Sequence, residues 1–410
     1  MSAPAATADA VTGAIPDTVS VAARYDAFDA LRGGAMLLGI FFHASLAYIG
    51  PVQSFWIVQD TSHNLGFGAF AWASHSFRMQ TFFAMSGFFA RLLGERRGAS
   101  AFARHRALRI AVPFAIGVML DNLIQQSFLS WAHASSFFTP HAAGLAAVAA
   151  EPLSAGSYVR NFNLGVYWFL EYLGVFSLAA WVCVLRGVPS PAECTPRRDA
   201  LERALRSLLD SRSRAFVLAV PHTALLLSMQ PWGVGSPAGL LPEGVWLAYY
   251  GVFFALGWYL HVRRDGLVEL LSGWRSDLAL ALPVGALALS GAVAGSSGEL
   301  PDWSRVMVLW LTASFTWLMV LGLTGLFVRV FRRSRAWIRY VSDSSYWLYL
   351  THDYWVQGMQ ILLFPLALSA VVKYLLVLAP TLLVLFVSYE YGVRYTAIGA
   401  ILHGRKRRSV

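Results

Sequence analysis

The sequence predicts an all-α protein, a polytopic membrane helix bundle of about ten transmembrane helices with both termini in the cytoplasm. Three observations carry that expectation. Of its 410 residues 57% are hydrophobic and only 13% charged, about half the charged share of ordinary soluble domains. The apolar residues gather into runs long enough to cross roughly 30 Å of hydrocarbon. When those runs are threaded back and forth, all of the 32 Lys and Arg except Arg78, Arg160, Arg305 and Lys373 fall on one side, which the positive-inside rule makes the cytoplasmic one. The net charge of +10 is then a topology signal, and no nucleic-acid partner is expected.

Residues 1–22 are Ala- and Thr-rich, with neither a basic start nor an apolar middle, and are expected to form a disordered cytoplasmic tail. A single transmembrane domain is expected over 23–395, with helices at 31–50, 67–92, 103–126, 164–185, 215–230, 243–262, 278–295, 305–330, 342–364 and 371–393. The fifth is short and contains Pro221. Arg91, Arg96, Arg97, Arg104, Arg106 and Arg109 cluster between the second and third runs, and a basic cytoplasmic tail closes the chain at 396–410. The inner loop 187–214 is expected to hold a short surface helix over 199–210. Cys183 and Cys194 have neither metal-ligand spacing nor a disulfide framework. There is no Gly-rich phosphate loop, zinc signature or nucleophile elbow, so no metal and no permanently bound cofactor is expected.

The first run holds the most informative pair. Arg32 and His43 are eleven residues apart, almost three full turns, so they share a helix face about 16 Å apart along the axis. Ionisable groups at membrane depth mark internal functional sites because lipid offers them no partner. Threading places His43, Arg78, Glu171, His352 and Asp353 at similar depth in the outer half, on four helices. A second set, Arg32, Arg91, Arg104, Arg106 and Arg109, lies at cytoplasmic helix ends, where guanidinium groups suit phosphate oxygens.

Five separated motifs, in order over about residues 25–393, resemble the family 3 integral-membrane acyltransferases. They are Asp29-Ala-Leu-Arg32-Gly with the Arg32 to His43 spacing; Phe77-Arg-Met-Gln-Thr-Phe-Phe-Ala-Met-Ser-Gly-Phe-Phe89; Arg106-Ala-Leu-Arg109-Ile-Ala-Val-Pro113; Trp168-Phe-Leu170; and Ser342-Asp-Ser-Ser345-Tyr-Trp-Leu-Tyr-Leu-Thr-His352. His43-Ala-Ser-Leu-Ala-Tyr48 looks most like the glucan succinyltransferase branch. Glu171 directly follows Trp168-Phe-Leu170, whereas many members carry Trp-Ser-Leu-x-x-Glu.

The resemblance implies transfer of an acyl group, succinyl in that branch, from a cytoplasmic acyl-coenzyme A (succinyl- or acetyl-coenzyme A as co-substrate) to a hydroxyl of a periplasmic glucan, in a bacterial inner membrane. On this reading Arg91, Arg106 and Arg109 hold the coenzyme A phosphates and Arg32 guides the pantetheine arm. His43 is the general base or an acylated nucleophile, with Glu171, His352 or Asp353 beside it. Arg78 stabilises the oxyanion or binds an acyl carboxylate. Ser86, Trp168 and Tyr346 are candidates for the acceptor channel. Acetyl transfer to another envelope polysaccharide keeps the mechanism and changes both substrates; an exporter of an anionic or glycan cargo is the alternative from another class. A homodimer stays open.

Overall fold

In the computed structural model, residues 21–50, 56–134, 154–187, 196–229, 232–237, 239–331, 335–404 and 406 are described. The expected tail over 1–22 lies almost wholly outside them. The protein is an all-α polytopic membrane protein, and each of the ten apolar runs falls on a helix. In lipid, backbone N–H and C=O groups must find partners within the chain, and helices over these runs provide them. The helices are α1 (Val21–Ser45), α2 (Leu65–Arg106), α3 (Val112–Ala134), α4 (Trp168–Leu185), α5 (Pro196–Asp210), α6 (Arg214–Leu227), α7 (Gly244–Val262), α8 (Trp274–Ser296), α9 (Arg305–Val330), α10 (Ala336–Leu363) and α11 (Ala370–Ser388). Helix α5 is the surface helix expected in the inner loop. Residues 397–402, expected within the basic tail, form a short helix against the π turn Ala107–Ala111 that joins α2 to α3.

Among the described residues, seven helical stretches are long and apolar enough to cross a membrane. The second and third predicted runs merge into one stretch, Leu65–Trp131, kinked at Gly98, whose φ of 70° suits glycine. Helix α6 is too short, with Pro221 inside it. Helix α10 is long enough at 28 residues but carries buried Ser342, Ser344, Ser345, His352, Asp353, Gln357 and Gln360. Its polar stripe faces protein rather than lipid, the arrangement that a site-bearing helix requires.

Helix α1 packs mainly on α10 and also on α2, α9 and α11; α2 pairs with α4 and α7, and α8 with α9. At the α2–α7 crossing the backbones touch: a Cβ on Gly87 would strike the Phe254 carbonyl, and one on Gly257 the Ala84 carbonyl. Small residues at such crossings let membrane helices approach closely. Large apolar side chains such as Leu282, Leu287, Val293 and Leu383 are exposed, as expected of faces turned to lipid. Two interior cations are paired with acids. Arg214 on α6 meets Asp277 on α8 at 2.5 Å, and Lys373 on α11 meets Asp60 at 2.7 Å. The second pair ties residues 56–64 to α11 and so helps place Trp56, whose Nε1 donates to Gln360 Oε1 at 2.8 Å.

Candidate active site

A cavity of about 970 Å³ lies among α1, α2, α3, α4 and α10 and is also lined by residues 233–237. His43, Arg78, Trp168, His352 and Asp353 all line it. Four of the five ionisable groups that the sequence places at one depth therefore meet in one space. Glu171 does not line it; the residue is half-buried on α4, its Oε2 buried without a hydrogen-bond partner. As the carboxylate beside His43, Glu171 is thus replaced by Asp353.

His43 Nδ1 lies 3.6 Å from Asp353 Oδ1. The other oxygen, Asp353 Oδ2, accepts from Gln125 Nε2 at 2.6 Å and Gln357 Nε2 at 2.8 Å, so the carboxylate is held with Oδ1 turned to the imidazole. Gln360 Nε2 grips the same stretch of α1 through the carbonyls of His43 and Ala44, at 3.3 and 3.2 Å. The His352 ring stands edge-on to His43, centroids 4.9 Å apart. Its Nδ1 faces the carbonyls of Tyr349 (2.8 Å) and Leu348 (3.1 Å). Two acceptors at one ring nitrogen require an N–H there, which leaves Nε2 as the acceptor. Trp56 covers His43 from the other side at 5.2 Å.

His43, His352 and Asp353 also bring one ligand atom each within 4.8 Å of one another. Tetrahedral zinc with bonds of about 2.0–2.1 Å needs ligand atoms roughly 3.3 Å apart. The trio would have to contract to hold such an ion.

Arg78 is 6% exposed. Its guanidinium lies over Phe42 at 4.5 Å, and neither Nε nor Nη1 has a hydrogen-bond partner. No ion pair to it occurs among the described residues. Gly39 makes room for it: a Cβ there would lie 3.0 Å from Nη1. A buried cation without a counter-charge is costly, and an anion bound in the cavity would offset that cost.

The second predicted cluster divides. Arg32 donates to Ser342 Oγ at 2.7 Å and pairs with Asp29 at 3.0 Å. Arg91 is 4% exposed, pairs with Glu95 at 2.7 Å and lies over Trp258. Arg91, expected to hold a phosphate, and Arg32, expected to guide the pantetheine arm, thus each have an acidic partner within the protein. Arg106 differs, with Nε and Nη2 lacking partners. Arg109 lies close by, its carbonyl accepting from the Tyr346 hydroxyl. Tyr346 does not line the cavity. It starts an aromatic ladder on α10, Tyr346, Tyr349 and His352, with successive centroids 6.4 Å apart, that runs from Arg109 to the cavity wall. Ser86 lies deeper along α2 and does not line the cavity.

Sequence reasoning passes over Asp121, Gln125, Gln357 and His75, all lining residues. Signals exist: Asp121 and Gln125 are four apart within the third apolar run, Gln357 follows Asp353 by four, and His75 precedes Arg78 by three, each pair sharing a helix face.

A family model described as an acyltransferase domain, of acyltransferase family 3, matches residues 25–390. Glucans biosynthesis protein C of Shigella dysenteriae serotype 1 is 36% identical over 103 residues, 25% of this chain and 26% of that protein. The protein of the same name from Escherichia coli strain K12 is 35% identical over the same length and shares. The matched stretch spans about a quarter of the length of these curated relatives. No solved structure matches the chain.

Proposed function

Because this chain belongs to acyltransferase family 3 and is a membrane acyltransferase, we propose that it moves an acyl group, succinyl by preference, from a cytoplasmic acyl-coenzyme A to a hydroxyl of an extracytoplasmic glucan, with His43 as general base. The observation that carries this reading is the pairing of His43 with an Asp353 carboxylate that two glutamines hold in place, beside the unpaired Arg78. The name of the relatives supports the glucan.

Asp353 Oδ1, 3.6 Å from His43 Nδ1, favours a proton on that nitrogen and stabilises the imidazolium, which leaves Nε2 to carry the lone pair. Nε2 takes the proton of the sugar hydroxyl as its oxygen attacks the thioester carbonyl. The tetrahedral intermediate collapses by breaking the C–S bond, and the imidazolium returns the proton to the departing coenzyme A sulfur. A positioned base of this kind contributes roughly 10²–10⁴-fold. Arg78 binds the anion of the donor side, either the developing oxyanion or the free carboxylate of a succinyl group. Arg106 and Arg109 receive the coenzyme A phosphates, and the ladder from Tyr346 to His352 lies along the route of the pantetheine arm.

The test is release of free coenzyme A from succinyl- and acetyl-coenzyme A by the purified protein with a glucan oligosaccharide. Acceptor-dependent release that His43→Ala abolishes is expected. Equal release by the variant discards His43 as the base, and intact thioesters with folded wild-type protein overturn acyl transfer in favour of transport.

A further inference from the structure

The unpaired polar atoms of the cavity are sorted by sign. On α2, Arg78 Nε and Nη1 are donors with no acceptor. On α3 and α10 the orphans are all acceptors: Asp121 Oδ1, Gln125 Oε1, Asp353 Oδ1 and Gln357 Oε1 make no hydrogen bond. Asp121 and Asp353 are buried, at 1% and 3% exposure, and line the cavity together with both glutamines. Buried acceptors without donors cost free energy that a ligand rich in donors recovers. The two acids and the two amide oxygens present acceptors and no cation to a ligand, a wall that does not favour one bringing negative charge of its own.

The segment packed against Asp121 is clamped by its neighbour Asn122. On α3, Asn122 Oδ1 accepts from the Asn163 backbone N–H at 2.9 Å while Asn122 Nδ2 donates to the Asn163 carbonyl at 2.7 Å. This clamp docks residues 161–166 on α3. Within them Gly165 has φ +47°, and a Cβ there would lie 2.7 Å from Asp121 Oδ2. Only glycine combines that backbone with that approach. The Tyr349 hydroxyl seals the same segment through the Val166 carbonyl at 2.6 Å. Asn122 spends its polar atoms on the clamp, whereas Asp121 keeps Oδ1 in reserve.

We propose that the α3–α10 wall is the acceptor subsite, with Asp121 its principal hydroxyl-binding group, and that it takes an uncharged polyhydroxylated sugar while the anionic donor occupies the Arg78 wall opposite. The inference rests on the acyl-transfer reading, since it names which wall holds which substrate. His43 stands between the walls, where a sugar hydroxyl must lose its proton. Hydroxyls of a neutral sugar donate to Asp121 and Gln125, and an acceptor carrying carboxylates is turned away.

The experiment measures succinyl transfer by the full-length protein, reconstituted in lipid, to a neutral glucan oligosaccharide and to the same oligosaccharide partially oxidised, with carboxylates at some primary positions and free primary hydroxyls at the rest. For Asp121→Asn the expected result is a rise of about 5- to 10-fold in KM for the neutral acceptor, since the amide keeps an acceptor oxygen and gives the weaker, uncharged hydrogen bond, with KM for succinyl-coenzyme A within about twofold of wild type. The wild-type preference for the neutral acceptor narrows in the variant. An unchanged acceptor KM, or a wild type that uses the oxidised acceptor equally well, overturns the proposal; the second comparison needs no variant to fold. If wild type cleaves no thioester, acyl transfer itself fails, and binding of the neutral oligosaccharide to wild type and to Asp121→Asn, followed by tryptophan fluorescence, still decides the subsite: tighter binding by wild type upholds it and equal binding overturns it.

Discussion

Replacing Asp353 by Asn removes one charge and little volume, and its effect follows from a single distance. With His43 Nδ1 3.6 Å from Asp353 Oδ1, an imidazolium and a carboxylate attract by about 4–5 kcal/mol at an effective dielectric near 20. The attraction matters only once His43 has taken the proton, so its loss falls on the transition state and not on bound substrate. An amide oxygen left in place recovers part of it. Each 1.36 kcal/mol is tenfold in rate, so kcat of Asp353→Asn is expected to fall about 10²- to 10³-fold, with KM for acyl-coenzyme A nearly unchanged. The assay is initial-rate release of coenzyme A at saturating acceptor, for wild type, each single variant and the His43→Ala/Asp353→Asn double. If the two groups act as a unit, the double variant is no slower than His43→Ala. Multiplicative losses, or Asp353→Asn keeping a third of wild-type kcat, would refute the pairing.

Other expectations follow from neighbouring contacts. Arg78→Gln keeps a polar side chain and removes the unpaired cation; if Arg78 binds a succinyl carboxylate, the preference for succinyl- over acetyl-coenzyme A, read as a ratio of kcat/KM values, falls at least about tenfold, as for a lost charge-assisted bond, whereas equal losses with both donors assign it to the oxyanion. Gly257→Ala puts a methyl against the Ala84 carbonyl, where no rotamer relieves the clash, so the α2–α7 crossing must open at a cost of about 1–3 kcal/mol, seen as a lower unfolding midpoint in detergent. Lys373→Met leaves Asp60 buried at 1% side-chain exposure without its partner, a loss of about 3–5 kcal/mol that adding Asp60→Asn should partly restore; a single variant as stable as wild type would contradict it.

How much of this is legible in the sequence depends on whether a residue's role is set locally or by packing. The apolar runs are legible because lipid demands internally satisfied backbone wherever they cross, and α10 falls short of the apolar spans because of the polar stripe it carries, which packing turns onto α1. His43, Arg78, His352 and Asp353 stand out because a charge at membrane depth needs a reason. Glu171 has the same standing in the sequence as Asp353. Only the seating of α1 on α10 puts one at His43 and leaves the other on α4, a choice made by tertiary contact. Asp121 and Gln125 hide because two polar residues near the end of an apolar run read as a helix leaving the membrane.

The cytoplasmic arginines show the opposite case, in which local sequence already holds the answer. Asp29 precedes Arg32 by three and Glu95 follows Arg91 by four, spacings that put opposite charges on one helix face. Arg106 has no acidic residue at either spacing, where Phe102, Ala103, Arg109 and Ile110 stand instead, and it is the one of the three whose Nε and Nη2 both stay without a partner. A guanidinium paired within its own helix already has its counter-charge, whereas one left unpaired keeps the capacity to bind an anion. If the proposed transfer holds, Arg78 and Arg106, on the stretch from α2 towards α3, would mark the two ends of the donor's path, and the neutral acceptor would be left the wall of orphan oxygens between α3 and α10.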